Sequence, residues 1–197
     1  MLIFWKKRLA ILANPKTGST AIESALGSLA HVAIGRPAEM KHMSASHFDT
    51  HLAPFLEKAA GGRFTTVALM REPTDWLGSW YRYRLRDDIP KPERSAAGLT
   101  FDEAAQDYVS PKPSAKMAVG SQAKFLGWSE GKAAVDRIFC YENMAKFLEF
   151  MEDRLDCEII LPQLNVSPKS ALTLQPETRR RLQEKLAPDY ELYQRIS

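Results

Sequence analysis

The stretch Pro15-Lys-Thr-Gly-Ser-Thr20 places a lysine, a glycine and three hydroxyl residues in consecutive positions. Lys16 supplies a full positive charge, and Thr17, Ser19 and Thr20 supply hydroxyl donors. Gly18 lets the backbone come close to a ligand. Where such a run joins a strand to a helix, backbone N–H groups and the positive end of the helix dipole converge on one point, and that point is an anion site. A plain strand-to-helix turn capped by Ser19 is the simpler use of these residues, but such turns seldom combine all of them. A phosphate-bearing ligand is therefore expected. The ATP-binding loop requires G-x-x-x-x-G-K-[ST], which this chain lacks, because Lys16 precedes Gly18 instead of following a last glycine. No strand-end aspartate stands where a Mg²⁺-holding residue is expected, so ATP is disfavoured.

The elements that must position this run are legible from hydropathy. Leu9–Ala13 is a continuous apolar run, as in a strand buried on both faces of a parallel sheet. A helix then opens at Ser19 or Thr20 with Ile22, Leu26 and Leu29 on one face. His31–Ile34 reads as a short second strand. Phe48–Ala60 has helical spacing up to Gly61-Gly62. Phe64–Met70 is rich in β-branched residues and reads as a strand. It runs into Arg71-Glu-Pro73 and a helix from Thr74 to Leu85, with Pro73 where its missing N–H is harmless. Asp87–Gly98 reads as an exposed loop, Thr100-Phe-Asp-Glu103 as a capping box, and Ser110–Ser114 as another loop. Arg137–Tyr141 is a third strong strand, followed by an amphipathic helix over Glu142–Leu155. Glu158–Leu161 reads as a short edge strand, Asn165–Leu174 as irregular, and Pro176–Ile196 as a helical tail bent at Pro188. Strands alternating with helices predict one α/β domain over residues 1–197 with a mostly parallel sheet.

Pro15-Lys-Thr-Gly-Ser-Thr20 resembles the 5′-phosphosulfate loop of the sulfotransferases that use 3′-phosphoadenosine-5′-phosphosulfate (PAPS), a P-loop-like α/β family. The family's second signature is an arginine at the end of a later strand, then a proline, then a serine eight residues after the arginine. Arg71, Pro73 and Ser79 reproduce it. The arginine fork and the serine hydroxyl suit the 3′-phosphate that distinguishes PAPS from ATP. Asp136-Arg-Ile-Phe-Cys-Tyr-Glu-Asn143 resembles the family's later strand with its Tyr-Glu-Asn turn. Leu161-Pro-Gln-Leu-Asn165-Val-Ser167 resembles the loop before the end of the nucleotide site, and Asp189-Tyr190 with Tyr193 resembles the C-terminal ending. Ser121-Gln122 resembles a serine–glutamine pair near the cofactor in some members. Two features depart from the pattern. Trp76-Leu77 stands where the helix after Arg71 usually carries a further arginine, and about Asp87 to Lys116 has no counterpart and is assigned to acceptor-side variation.

The resemblance implies a P-loop-like three-layer fold, a central mostly parallel sheet flanked by helices. It implies PAPS as cofactor, 3′,5′-diphosphate (PAP) as product, and no metal. Pro15, Lys16, Thr17, Gly18, Ser19, Thr20, Arg71 and Ser79 would bind the cofactor, with Lys16 also catalytic at the departing bridging oxygen. A hydroxyl acceptor needs a general base. His42 follows the second-strand region, where the family often places a catalytic histidine, with His47, Glu72 or a carboxylate in 87–107 as alternatives. The acceptor is a small molecule or saccharide bearing a hydroxyl or amine, and the C-terminal resemblance favours carbohydrate. The chain is short for the family, so acceptor-binding elements are small or come from another subunit, as in a homo-oligomer. Two rival readings stay open: an ATP-dependent small-molecule kinase of P-loop type, and a non-catalytic PAP- or PAPS-binding module.

Bulk composition narrows the remaining classes. The 197 residues are 45% hydrophobic and 26% charged, with a formal net charge of +3. That excess is too small to argue for nucleic acid or an anionic membrane. Lys6, Lys7 and Arg8 interrupt the apolar start, which argues against a signal peptide or membrane span. Cys140 and Cys157 match no metal or redox spacing, and a reducing, cytoplasmic setting is expected. Arg82, Arg84 and Arg86 would suit a sulfated or acidic saccharide acceptor, but a solvated helix face is the expected use, as it is for Arg179-Arg-Arg181. Trp76, Trp80 and Tyr81 could stack on a sugar or adenine, but are expected to pack in the core.

Overall fold

A computed structural model describes residues 1–162 and 171–197. Strands β1 (Leu2–Phe4), β2 (Leu9–Ile11), β3 (Val32–Ala33), β4 (Thr65–Met70) and β5 (Arg137–Cys140) form one sheet in the order β3-β1-β2-β4-β5. The core trio β2, β4 and β5 is parallel, while β1 is antiparallel to both β2 and β3. The described helices are α1 (Ser19–Leu26), α2 (Ala38–Lys41), α3 (Ala45–His47), α4 (Ala53–Ala60), α5 (Pro73–Arg84) and α6 (Phe101–Val109). They continue with α7 (Gln122–Phe125), α8 (Met144–Leu155), α9 (Pro176–Lys185) and α10 (Ala187–Ile196). The fold is thus α/β, with a mixed sheet flanked by helices.

Period-two alternation sorts the strand side chains onto two covered faces. Ala68 and Met70 of β4 pack with Phe48, Leu56, Phe125 and Leu192 from α4, α7, α10 and their neighbours. Val67 and Leu69 pack on the other face with Ile22 and Leu26 of α1 and Phe147 and Met151 of α8. A third apolar cluster joins α5, α6 and α9 through Trp76, Leu77, Phe101, Tyr108 and Leu182. The capping box at Thr100 is formed, with Thr100 and Glu103 bonding reciprocally.

Several local outcomes differ from the sequence reading, each for a stated reason. Residues 2–4 form a strand because Lys6, Lys7 and Arg8 make an exposed turn between two buried strands, with Arg8 left-handed at φ 46. Leu29 is 49% exposed, because α1 stops at Gly27 and the residues beyond leave helical phase. The 48–60 helix starts earlier and changes pitch, with a π-helical turn at Phe48–Leu52 just before Pro54, which has no N–H to close an α-helical bond. Glu158–Leu161 is not a strand, since the Ile159 N–H is taken by the Glu152 carboxylate at 2.8 Å. The helical tail breaks at Leu186, with Pro188 in the first turn of α10. Most of the 161–167 loop that resembles the family lies outside the described residues. Among the described residues, no helix is long and apolar enough to cross a membrane.

A carboxylate ties the C-terminal helix to α7. Asp189 is buried, and its Oδ1 accepts from the N–H groups of Gln122 at 2.8 Å and Ala123 at 3.2 Å, at the start of α7. Burial outweighs these bonds and raises its carboxyl above the usual range. Asp189→Ala removes the acceptor of two buried donors, which costs about 1–3 kcal/mol. The expected fall in melting temperature is roughly 2–4 °C per kcal/mol, read by differential scanning calorimetry. An unchanged melting temperature would show that the α7–α10 tie is not structural.

Candidate anion site at the carboxyl edge of the sheet

The three parallel strands end side by side, and the segments after β2, β4 and β5 leave from the same edge. Crevices at such edges are where open α/β sheets take ligands. The Leu12 N–H still bonds Val67 at 2.8 Å, and the chain then turns at Asn14. Asn14 is buried, and its Nδ2 donates to the Leu69 carbonyl at 2.9 Å and to Gln122 Oε1 at 3.1 Å. The buried Thr17 hydroxyl donates to the Asn14 carbonyl at 2.8 Å, so its proton closes the turn. Lys16 and Gly18 are left-handed, at φ 68 and φ 78. A Cβ on Gly18 would also meet the Tyr141 ring at 3.3 Å, so both backbone and space call for glycine.

This turn leaves a run of donors open. The first helical bond of α1 runs from Ile22 to the Gly18 carbonyl at 3.2 Å. Among the described residues, no acceptor takes the N–H groups of residues 16–21. Ser19 is half-buried and Thr20 exposed, both in the first turn of α1. From the opposite side, the Trp76 indole N–H holds the Pro15 carbonyl at 3.0 Å.

Arg71, at the end of β4, reaches the same turn. Its Nη1 donates to the Lys16 carbonyl at 3.4 Å, and its guanidinium lies 4.7 Å over the Tyr141 ring. Nε and Nη2 are held by Asp75, each at 2.6 Å, which fixes the direction of the fork. Ser79 lies two turns further along α5 and is buried. Pro15–Thr20, Arg71 and Tyr141 are therefore brought together, and the Tyr141-Glu142 turn contributes more than packing. Glu142 accepts from the Glu72 N–H at 2.8 Å and from the Tyr193 hydroxyl at 2.9 Å. Glu72 caps α5 by accepting from the Asp75 N–H at 2.7 Å.

The Lys16 side chain projects into an aromatic and cationic cluster on α5. Its Nζ lies 3.6 Å from the Tyr83 ring centre and 4.9 Å from that of Trp80. Burial, and then Arg84, Arg86 and Arg71, lower its pKa to about 7. The expectation of a solvated arginine face fails here. Arg84 is only 5% exposed, and among the described residues its Nε has no acceptor and neither has the buried Trp80 indole N–H. Arg82 is held by Asp75 at 3.5 Å, and Arg86 by Asp88 at 2.7 Å. Trp76 and Tyr81 are core residues as expected, whereas Trp80 is half-buried.

His42 lies at the other flank. Its Nδ1 is 2.7 Å from the Ala13 carbonyl, immediately before the turn. A carbonyl can only accept, so Nδ1 carries the hydrogen and Nε2 keeps its lone pair. Burial lowers the pKa of His42, and the nearby cations Lys41 and Lys16 add to this, so the ring is biased to its neutral, basic form. His47 is exposed and packs beside the His51 ring at 5.8 Å.

The sequence reading missed or underweighted the residues that hold this edge in shape. Gln122 is fully buried, and its carboxamide pairs with both backbone groups of Arg71, accepting from N at 2.9 Å and donating to O at 2.7 Å. Tyr190 shares a hydrogen bond with Thr74. Asn14, one residue before the recognised run, had no motif signal beyond its place at a strand end. No protein-family model matches the chain, and no curated protein matches it.

Residues 16–21, Lys16 and Arg71 present donors and positive charge with few acceptors of their own, which suits an anion with several oxygens. The desolvated lysine makes this measurable without any ligand. The folded chain holds the Lys16 proton less tightly than the unfolded chain, so stability is lost as pH falls from about 10.5 to about 7, the ordinary and the lowered value. Lys16→Met is therefore expected to raise the melting temperature at pH 6, by about 2–4 °C per kcal/mol relieved. The gain should shrink as pH rises above 7 toward 10. A variant no more stable than wild type at pH 6 would show that Lys16 is not held at a cost.

Proposed function

We propose that the protein binds PAPS and transfers its sulfuryl group to a hydroxyl or amine acceptor, on a P-loop-like version of the α/β fold. The observation that carries this reading is the meeting of Arg71 Nη1 with the Lys16 carbonyl. It joins the two stretches that resemble PAPS-binding motifs, at a turn whose N–H groups have no acceptor among the described residues. The resemblance at Asp189-Tyr190…Tyr193 favours carbohydrate as the acceptor class.

Bound PAPS supplies a sulfuryl group whose bond to the bridging phosphate oxygen breaks as the acceptor oxygen bonds to sulfur, PAP leaving as an anion. The N–H groups of 16–21 with the Ser19 and Thr20 hydroxyls suit the 5′-phosphate. Arg71 and Ser79 suit the 3′-phosphate, and Asp75 keeps the Arg71 fork aimed. Lys16 places its charge where negative charge develops on the bridging oxygen, a role that positioned cations fill in phosphoryl transfer. His42 Nε2 takes the proton released by the acceptor hydroxyl. The half-buried setting of Lys16 strengthens these charges relative to water.

Isothermal calorimetry against PAP, and separately against ATP with Mg²⁺, tests the reading. PAP is expected to bind in the micromolar range without metal and more tightly than Mg-ATP. Lys16→Met and Arg71→Ala should each weaken PAP roughly tenfold to a hundredfold, the span of a charge-assisted hydrogen bond. Anion binding raises the lowered Lys16 pKa, so wild type at pH 8.5 should take up about one proton per PAP, read from two buffers of different ionisation enthalpy. Lys16→Met should take up none. Absent PAP binding, or tighter binding of Mg-ATP, overturns the proposal in favour of a kinase.

A further inference from the structure

Arg84 is a buried cation that meets aromatic faces and, among the described residues, forms no ion pair. Its guanidinium lies 5.4 Å over Trp80 and 5.9 Å over Tyr83, the two rings that also receive Lys16. Cation–π contact compensates part of a buried charge, yet an ionised group out of water normally has a counter-ion or a full set of hydrogen bonds. Two acids of this region are engaged elsewhere, Asp75 with Arg71 and Arg82, and Asp88 with Arg86. Among the described residues, neither Arg84 Nε nor the Trp80 indole N–H has an acceptor. Burial and the neighbouring Arg94 bias Arg84 further against its charged form.

The cluster is separate from the phosphate turn. Arg84 closes the helix that Pro73 opens, about 16 Å further along the axis at 1.5 Å per residue. The turn meets the first part of that helix, through Trp76 and Pro15. The Lys16 side chain reaches from the turn to Trp80 and Tyr83. Beyond Lys16, the Arg84 carbonyl accepts from the N–H of Ala96 at 2.9 Å, and Ala96 is fully buried. Ala96 belongs to the 87–116 segment, the part of the chain that resembles nothing in the cofactor motifs.

We propose that Trp80, Tyr83 and Arg84 form an acceptor subsite that takes an oxyanion carried by the acceptor itself, a carboxylate or sulfate ester beside a ring. The proposal rests on the sulfuryl-transfer reading for the word acceptor, since Lys16 would then stand between donor and acceptor. Arg84 offers a planar fork and Trp80 an N–H to the oxyanion, and the two rings offer flat surface to its carrier.

Calorimetry with phenyl β-glucuronide and phenyl β-glucoside, with and without saturating PAP, tests it, because the two probes differ by one carboxylate. The glucuronide is expected to bind at least about tenfold more tightly, the span of one charge-assisted hydrogen bond. Arg84→Met, checked for folding by its melting curve, should bring the two within about threefold, while Arg84→Lys keeps part of the preference. Equal affinity of wild type for the two probes, including no binding of either, overturns the proposal without any variant. Inorganic sulfate binding as tightly as the glucuronide overturns the acceptor-borne oxyanion in favour of a free anion. Failure of PAP to bind alongside a retained glucuronide preference would sink the sulfuryl-transfer reading and leave an anion subsite standing.

Discussion

One side chain imitates a strand. The Gln122 carboxamide pairs with the N–H and C=O of Arg71 as a neighbouring backbone would, and accepts from Asn14 Nδ2 as well. Arg71 is the first residue beyond β4, where the ladder with β5 ends at Met70 and Cys140. Without Gln122, the backbone at this point would have an unpaired buried donor and acceptor, a penalty of about 1–3 kcal/mol each. With it, the chain leaves the sheet at a fixed angle. That angle sets where the Arg71 fork reaches, and hence whether the turns after β2 and β4 face each other. Gln122 is placed in turn by Asp189, so the last helix of the chain controls the geometry of the first turn.

The same edge is built around a charge imbalance. The whole chain carries a net charge of only +3, but Lys16 feels Arg84 and Arg86 at the far end of α5 as well as Arg71 just ahead of its start. Asp75 and Asp88 neutralise part of this. The remainder is borne by Lys16 and Arg84, both over Trp80 and Tyr83, in a setting that disfavours their charged forms. Residues selected only for stability would place an acid or an apolar side chain there. Strain of this kind, together with the left-handed backbone at Lys16, is characteristic of sites organised around something other than the protein's own contacts.

The sequence was legible wherever a local pattern sufficed. The parallel strands Leu9–Ile11, Thr65–Met70 and Arg137–Cys140 were each visible as short apolar or β-branched runs bounded by turn residues. The capping box at Thr100 and the break near Pro188 follow from residue type alone. The turn at 14–18 was legible because its chemistry is contiguous. The antiparallel β1 was not, since three buried residues ahead of a basic turn look the same as an irregular start. The burial of Arg84 was also illegible. An arginine two residues from others along a helix reads as solvated unless the 92–99 segment is known to fold over it, and that is a long-range contact through Ala96. Gln122 carries no local signal beyond a resemblance, because its partners lie 51 and 108 residues away.

These two features, the clamp at Gln122 and the uncompensated cations, depend on each other. Desolvated cations repel, and a flexible edge would relieve that repulsion by letting Lys16 swing into water. Here the swing is opposed at several points: the Lys16 carbonyl is held by Arg71, the Pro15 carbonyl by Trp76, and the Asn14 carbonyl by Thr17. These bonds fix the backbone from which the lysine side chain starts, and the faces of Tyr83 and Trp80 receive its ammonium group. A group held in this way can meet an incoming anion with little reorganisation, which is the condition under which fixed charges act most strongly on a developing negative charge. The rigidity of the edge and the discomfort of its charges are thus one arrangement: the hydrogen bonds supply the order that electrostatics alone would disperse.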